Sequence, residues 1–365
     1  MSAKQKYIIL IALSLLVLTA PFYMSSVIGK NGQQSSNQQQ GNPGIPSQED
    51  IARTLMELML EKSSDRTIVD SACASIRRMD EAVAIECLCR WFASERTPDS
   101  IKCRLLETAM EIYLRDAEKP DGLEKQLLDS VLSEFDRLRG GKYSSRDGSM
   151  KLAVALINSL GDIGARYRGP EMPGGIIERL MAAANEKYLR RASLQSMGKI
   201  GPASTPAIPM LVNIALSDRD CGYNALSVIG SIGPNAIAAK PVLEALMAKW
   251  NTDWKKSIVA ARSHLLVCPS DRTPVKKIMD SLLSNTRGEP DFAVETLVWL
   301  GEHVEDELEA ERNRINQAHQ GQGHISAPDK TMLSYINTIL ERIEENKLSA
   351  AAQEKQQEGG VQNGK

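Results

Sequence analysis

Four histidines, His264, His303, His319 and His324, are the natural place to look for chemistry, because imidazole is the side chain that ligates metals and moves protons near neutral pH. None of them stands in HExxH, in HxH or in a His/Cys cluster with zinc spacing. His264 lies on the helical stretch SIVAARSHLL and reads as a packed or partly exposed helix residue, whereas His319 and His324 flank QGQG and read as a loop. The run GEHVEDELEAE from Gly301 concentrates acids that could attract a cation or a basic partner, but such a run is better read as a solvated helix face. No GxSxG is present, and Ser/His/Asp sets cannot be assembled from so few histidines. The expectation is therefore a protein without catalytic residues, metal ligands or cofactor.

Six cysteines, Cys73, Cys87, Cys89, Cys103, Cys221 and Cys268, raise a second chemistry. In an oxidising compartment an even count invites disulfides. A helix turn near Met79 and Asp80 would bring Cys73 and Cys87 to similar heights on adjacent antiparallel helices, and a turn near Arg96 would do the same for Cys89 and Cys103. The alternative, which is preferred, is that all six are small buried apolar residues.

A third candidate is the glycine-rich LQSMGKIGPASTPAIP at 194–209, which could cradle a phosphate or mark a bend. No strand precedes it and no GK[ST] follows it, so the phosphate reading is weak. Recurrence favours the bend. LGDIG at 160–164, MGKIG at 197–201 and IGSIG at 229–233 share one pattern, with spacings of 37 and 32 residues. Each follows an Ala-containing helix, and the second and third continue into Gly-Pro and then into Pro209 or Pro241 at the head of another apolar helix. Pro274, 33 residues beyond Pro241, opens a weaker copy, and FAVETLVWLGEH at 292–303 restores the Leu-Gly ending. The turn set is thus Gly161, Gly164, Gly198, Gly201, Pro202, Pro209, Gly230, Gly233, Pro234, Pro241 and Pro274. Glycine ends a first helix in a left-handed cap, proline prevents its continuation, and a second proline is tolerated where the next helix starts. One such pair cannot bury its apolar face, whereas a stack can.

The spelling AxxALGxIGPxAxxAxPxL over residues 150–300, roughly 40% of the chain, resembles the HEAT-like repeats, in particular the short bacterial class associated with phycobiliprotein lyases. That resemblance implies an all-α fold, an α-solenoid of antiparallel helix pairs, and it says little about function.

Stepping outward along the chain, the elements that would hold these residues are helical nearly everywhere. Ile51, Leu55, Leu58 and Met59 recur at three and four, as do Val131, Leu132, Phe135 and Leu138. Breaks are signalled by SSD at 63–65, RTPD at 96–99, EKPDG at 118–122 and RGGKYSSRDGS at 139–149. The expected organisation is a membrane-targeting segment at 1–29, a flexible linker at 30–48, degenerate HEAT-like helices at 49–149, clear repeats at 150–301, C-terminal helices at 302–349 and a disordered tail at 350–365. In the last helices, Ser326 offers a capping-box-like start to an apolar stripe of Met332, Leu333, Tyr335, Ile336, Ile339, Leu340 and Ile343. The stripe is read as the end cap of its own array, with a homodimer contact as the lesser reading.

The run Tyr7–Ile28 is nearly uncharged, follows Lys4 and Lys6, and would span about 33 Å as a helix. It suits a transmembrane anchor, and its shorter core from Tyr7 to Ala20 also suits a cleaved signal peptide; both remain open. The two lysines place the rest of the chain on the periplasmic or extracellular side, anchored or secreted. Without residues 1–29 the chain carries 42 basic and 46 acidic residues, a net charge of −4, which argues against nucleic acid as a partner. Aromatic content of 4% fits helices packed through Ala, Leu, Ile and Met. The expected function is a membrane-tethered or secreted scaffold that binds a protein through its repeat surface, with the second helices after Pro209, Pro241 and Pro274 as the contact face. A lyase-like enzyme with a groove site and an envelope spacer without ligand are the rivals.

Overall fold

The computed structural model describes residues 46–115, 122–139, 148–167, 172, 175–249, 253–320 and 325–362. The membrane-targeting segment 1–29, nearly all of the linker and His324 lie outside the described residues. Among the described residues there is no strand, so the fold is all-α. The chain divides into two compact units, Met1–Ile176 and Ile177–Lys365.

In the first unit the helices are α1 (Gln48–Glu61), α2 (Arg66–Ile76), α3 (Glu81–Phe92), α4 (Asp99–Arg115), α5 (Leu123–Arg139) and α6 (Ser149–Arg166). Their starts are set by local chemistry. The Ser47 hydroxyl accepts from the Asp50 amide, the Asp65 carboxylate from Thr67 and Ile68, and the Asp80 carboxylate from Ala82 and Val83, so first-turn donors that a helix cannot satisfy internally find partners. Packing follows chain order: α1 meets α2 and α3, α2 meets α4, α3 meets α4 and α5, and both α4 and α5 meet α6. Each helix thus packs on the next but one, and α1 with α2, α3 with α4 and α5 with α6 also pack as neighbours. The shared interior is aliphatic, with Leu55, Met59, Ile85, Leu105, Leu127 and Leu152 at 2% exposure or less.

One exception lies in that interior. Lys102 on α4 is 2% exposed, and its ammonium donates to both carboxylate oxygens of Glu134 on α5 at 2.9 and 3.0 Å. Arg137 adds a second cation on Glu134 and reaches Asp99 at 2.8 Å, while the Lys102 ammonium stands 5.9 Å from the Phe92 ring centre. Charges removed from water this far persist only when fully paired.

The second unit holds α7 (Ile176–Ala184), α8 (Arg190–Ile200), α9 (Ile208–Ser217), α10 (Gly222–Ile232), α11 (Lys240–Met247), α12 (Trp254–Val267), α13 (Thr273–Asp280), α14 (Glu289–Leu300), α15 (Glu305–Ala318) and α16 (Ala327–Gln362). The even-numbered helices from α8 to α16 form a row in which each packs on the next, and α9, α11, α13 and α15 lie against members of that row. Cross-ties fix the spacing. Ser263 on α12 donates to the Leu226 carbonyl on α10 at 2.7 Å, Arg190 pairs with Asp218, and Arg272 donates to Glu307 at 2.7 Å.

The glycines of the recurring motif divide into two kinds. Gly201, Gly233 and Gly301 end α8, α10 and α14 at φ of 68°, 69° and 53° and ψ of −125°, −144° and −127°. The sign of φ is as expected, but ψ is not that of a left-handed helical cap; this is the mirror image of extended backbone, open only to glycine. Pro202 and Pro234 then start short 3-10 helices at Gly201–Ala207 and Gly233–Ala239, and Pro209, Pro241 and Pro274 sit in the first turn of α9, α11 and α13. The other kind is helical. Gly198 and Gly230 lie inside α8 and α10, and Gly161 and Gly164 are both buried inside α6, which runs on to Arg166. Gly161 and Gly164 are therefore not turn residues. Gly164 keeps helical backbone, and Ala165 and Arg166 extend the helix past it.

At the C-terminus Ser326 accepts from the Asp329 amide at 3.3 Å, and Asp329 in turn accepts from Ser326 and stands 2.9 Å from His319 Nε2. Met332, Ile336, Ile339 and Ile343 are buried against α14, α15 and the 3-10 turn Ser281–Leu283. The helix then continues to Gln362, through most of the stretch expected to lack structure. Ala350–Ala352 and the Gln, Glu and Lys that follow are strong helix formers that can extend a helix already nucleated and packed at Met332–Ile343.

Two stretches, Arg190–Ser217 and Gly222–Met247, are long and apolar enough by composition to be compared with membrane spans, but each bends at its Gly-Pro and turns 44% of its most apolar window into the unit.

Candidate functional site

The face formed by α10, α12, α14 and α16 carries the aromatic and arginine chemistry that protein contacts favour. Trp299, near the end of α14, is 57% exposed, although an indole is among the costliest side chains to leave in water. The Arg262 guanidinium of α12 lies over it, 4.5 Å from the ring centre, and donates to the Ser227 hydroxyl of α10 at 2.8 Å. Burial against its neighbours lowers the Arg262 pKa, and among the described residues no carboxylate is paired with it. One turn before Trp299, Glu295 receives two hydrogen bonds from Arg342 of α16 at 2.9 and 3.1 Å, which hold its carboxyl below the ordinary range.

The helical period explains the alignment. Glu295 and Trp299 are four residues apart on α14, as are Ser227 and Ser231 on α10, so each pair shares a stripe. Close stacking of α10 on α12 then sets the register, because Gly230 leaves no side chain between them: an added Cβ would lie 3.2 Å from the Ser263 Cα. The strip offers one unpaired cation, one exposed indole and two exposed or half-exposed hydroxyls. Arg and Trp in this arrangement are the usual anchors of a protein contact, with the cation suited to an acidic group on the partner.

The second helices, expected to be the contact face, are less equipped for it. Their exposed positions after Pro209, Pro241 and Pro274 include Asn213, Leu216, Glu244, Ala245, Lys276 and Lys277, without an aromatic side chain among them. Sequence reasoning missed Arg262 and Trp299 because they stand 37 residues apart on separate helices. The available signal was a tryptophan at the outward position of an otherwise Ala-, Val- and Leu-faced helix.

The cysteines show no bridge. All six are free, and only Cys103 is more than marginally exposed. The two staples weighed for Cys73 with Cys87 and Cys89 with Cys103 are not formed. Burial raises the thiol pKa of Cys73, Cys87 and Cys89, and burial together with Glu107 pushes Cys103 up to about 11. These thiols act as small apolar side chains. His303 is exposed at the end of α14, and His319 is engaged with Asp329; His264 is fully buried on α12, with Glu244 of α11 and Asp271 as its nearest ionisable neighbours.

Comparison with known proteins finds no family model that matches the chain and no curated protein with significant sequence similarity. The helices, each packed against its neighbours, are compatible with a helical repeat fold.

Proposed function

We propose that the chain is a protein-binding scaffold, an α-solenoid of HEAT-like helix pairs held at or exported across a membrane by its N-terminal apolar segment, and that it docks an acidic partner segment on the face of α10, α12, α14 and α16. The single observation that carries the reading is the exposed Trp299 beneath the carboxylate-free Arg262. Support for the repeat comes from helix ends of the same unusual backbone at Gly201, Gly233 and Gly301 and from packing that follows chain order. A scaffold needs area and anchors rather than a catalytic pocket, and an indole with a cation on it supplies the anchor.

The test is site-specific photo-crosslinking in the native cell, with the probe at Ser231 on this face or at Lys276 on the second-helix face. A discrete adduct is expected from Ser231 and not from Lys276, and Trp299→Ala or Arg262→Glu is expected to reduce it by about 30-fold, the effect of losing roughly 2 kcal/mol at an anchor. Absence of any discrete adduct at Ser231 would favour the spacer reading. An adduct insensitive to both substitutions would remove this face from the contact.

A further inference from the structure

Outside the docking face, His264 is the most completely buried ionisable ring among the described residues. It is 0% exposed, and neither ring nitrogen has a hydrogen-bond partner, whereas buried polar side chains nearly always have one. Its Nε2 points at two carboxylates. Glu244 Oε1 on α11 stands 3.8 Å away and Asp271 Oδ2, in the turn before α13, 3.6 Å away. The three ligand atoms all lie within 4.8 Å of one another.

These distances are too long for hydrogen bonds. They do match another geometry. Nitrogen and oxygen ligands bound to a tetrahedral cation at about 2.0–2.2 Å stand about 3.4 Å from each other, so a few tenths of an ångström at the imidazole and up to about 1.4 Å between the two carboxylate oxygens, within reach of side-chain rotation at the exposed Glu244, would close this set around one ion. Asp271 is already oriented for it: its Oδ1 accepts the Thr273 amide at 3.1 Å, which leaves Oδ2 turned to the imidazole. Glu244 is half exposed and Asp271 about one-third exposed, giving an ion a way in and leaving room for water as a fourth ligand.

Charge points the same way. The two carboxylates bring two negative charges to the set. Its local compensation is Lys240, whose Nζ is 3.7 Å from Glu244 Oε1 and 3.9 Å from Asp271 Oδ2, a loose placement on a flexible stem. The ammonium leaves the imidazole unpartnered; a cation that bonds nitrogen would satisfy it.

We propose that Glu244, His264 and Asp271 form a three-ligand site for a divalent transition cation of zinc's type, with water in the fourth position and Lys240 displaced to solvent. The ion would tie α11, α12 and the start of α13 together. This site is separate from the docking face and does not depend on it.

Full-length protein in detergent, stripped with chelator and kept reduced, is titrated with Co2+ and then with Zn2+. The expected result is one equivalent of Co2+ with the visible absorption of a tetrahedral ion and no thiolate charge-transfer band, displaced by Zn2+. Asp271→Asn and His264→Asn are each expected to weaken binding at least tenfold, and Lys240→Ala to tighten it severalfold by removing a competing charge. Asp271→Asn keeps the capping oxygen and carries the test if His264→Asn fails to fold by circular dichroism. No saturable uptake up to millimolar Co2+ or Zn2+, undiminished uptake by Asp271→Asn, or weaker binding by Lys240→Ala would each overturn the site.

Discussion

Gly198 and Gly230 occupy the same place in the recurring motif, yet alanine is expected to stabilise at the first position and not at the second. Within a helix, replacing Gly by Ala contributes about 0.8–1.0 kcal/mol through propensity alone. At position 198 the new Cβ would lie 3.6 Å from Val228 Cγ2, an ordinary contact, so the full gain of about 1 kcal/mol is expected to remain. At position 230 it would lie 3.1 Å from Leu266 Cδ1, 3.1 Å from Ser263 Oγ and 3.2 Å from Ser263 Cα. The leucine tip can move. The Cα cannot without shifting α12, and the hydroxyl is held by its bond to the Leu226 carbonyl. Overpacking of this kind costs about 1–3 kcal/mol, so Gly230→Ala is expected to be neutral to destabilising by about 2 kcal/mol. The two variants therefore differ by roughly 1–3 kcal/mol, from substitutions of one methyl each. Hydrogen exchange read on peptides covering 190–232 measures both in the intact chain. Gly198→Ala is expected to slow exchange there and Gly230→Ala to leave it unchanged or speed it. Equal shifts in the same direction would refute the close approach of α10 to α12.

Three further outcomes follow from the described contacts. Lys102→Met alone leaves the buried Glu134 with Arg137 as its remaining cation and is expected to destabilise the first unit by about 1.5–3 kcal/mol, while Lys102→Met with Glu134→Leu recovers most of that loss in urea unfolding. Glu307, whose pKa is lowered first by its hydrogen bond from Arg272, has a folded value below its unfolded one; its contribution is present above the ordinary carboxylate range and lost as pH falls through the lowered value, so Arg272→Met is expected to flatten the acid limb of a stability-against-pH curve. Cys103, with its thiol pKa near 11, is expected to alkylate at pH 8 about a hundredfold more slowly than a free cysteine thiol, and mass mapping without reductant is expected to find all six thiols unbridged.

The helical class and most bends were legible because they are written locally. Asp65 after two serines, and Pro202 and Pro234 after glycine, fix chain direction through their own backbone and caps. The status of Gly161 and Gly164 was not legible from the Leu-Gly spelling, since the same spelling ends a helix where the glycine takes a positive φ, as at Gly301, and runs on as helix where it does not. The reach of the last helix was not legible for a related reason: polar composition predicts poor packing, but not whether a packed helix upstream will extend through good helix formers. The Arg262–Trp299 contact and the His264 cluster were out of reach because they join residues on separate helices, whose meeting is set by packing and not by local spelling.

The ties that hold each unit together join residues a few tens of positions apart: 32 for Lys102 and Glu134, 35 for Arg272 and Glu307, 47 for Arg342 and Glu295. A chain knit over such short loops has little closure entropy to overcome and can begin to assemble at any pair, then grow outward like a zipper. Stretched between its ends, such a unit would yield in small successive steps and reseat as the load falls, behaving as a spring more than as a latch.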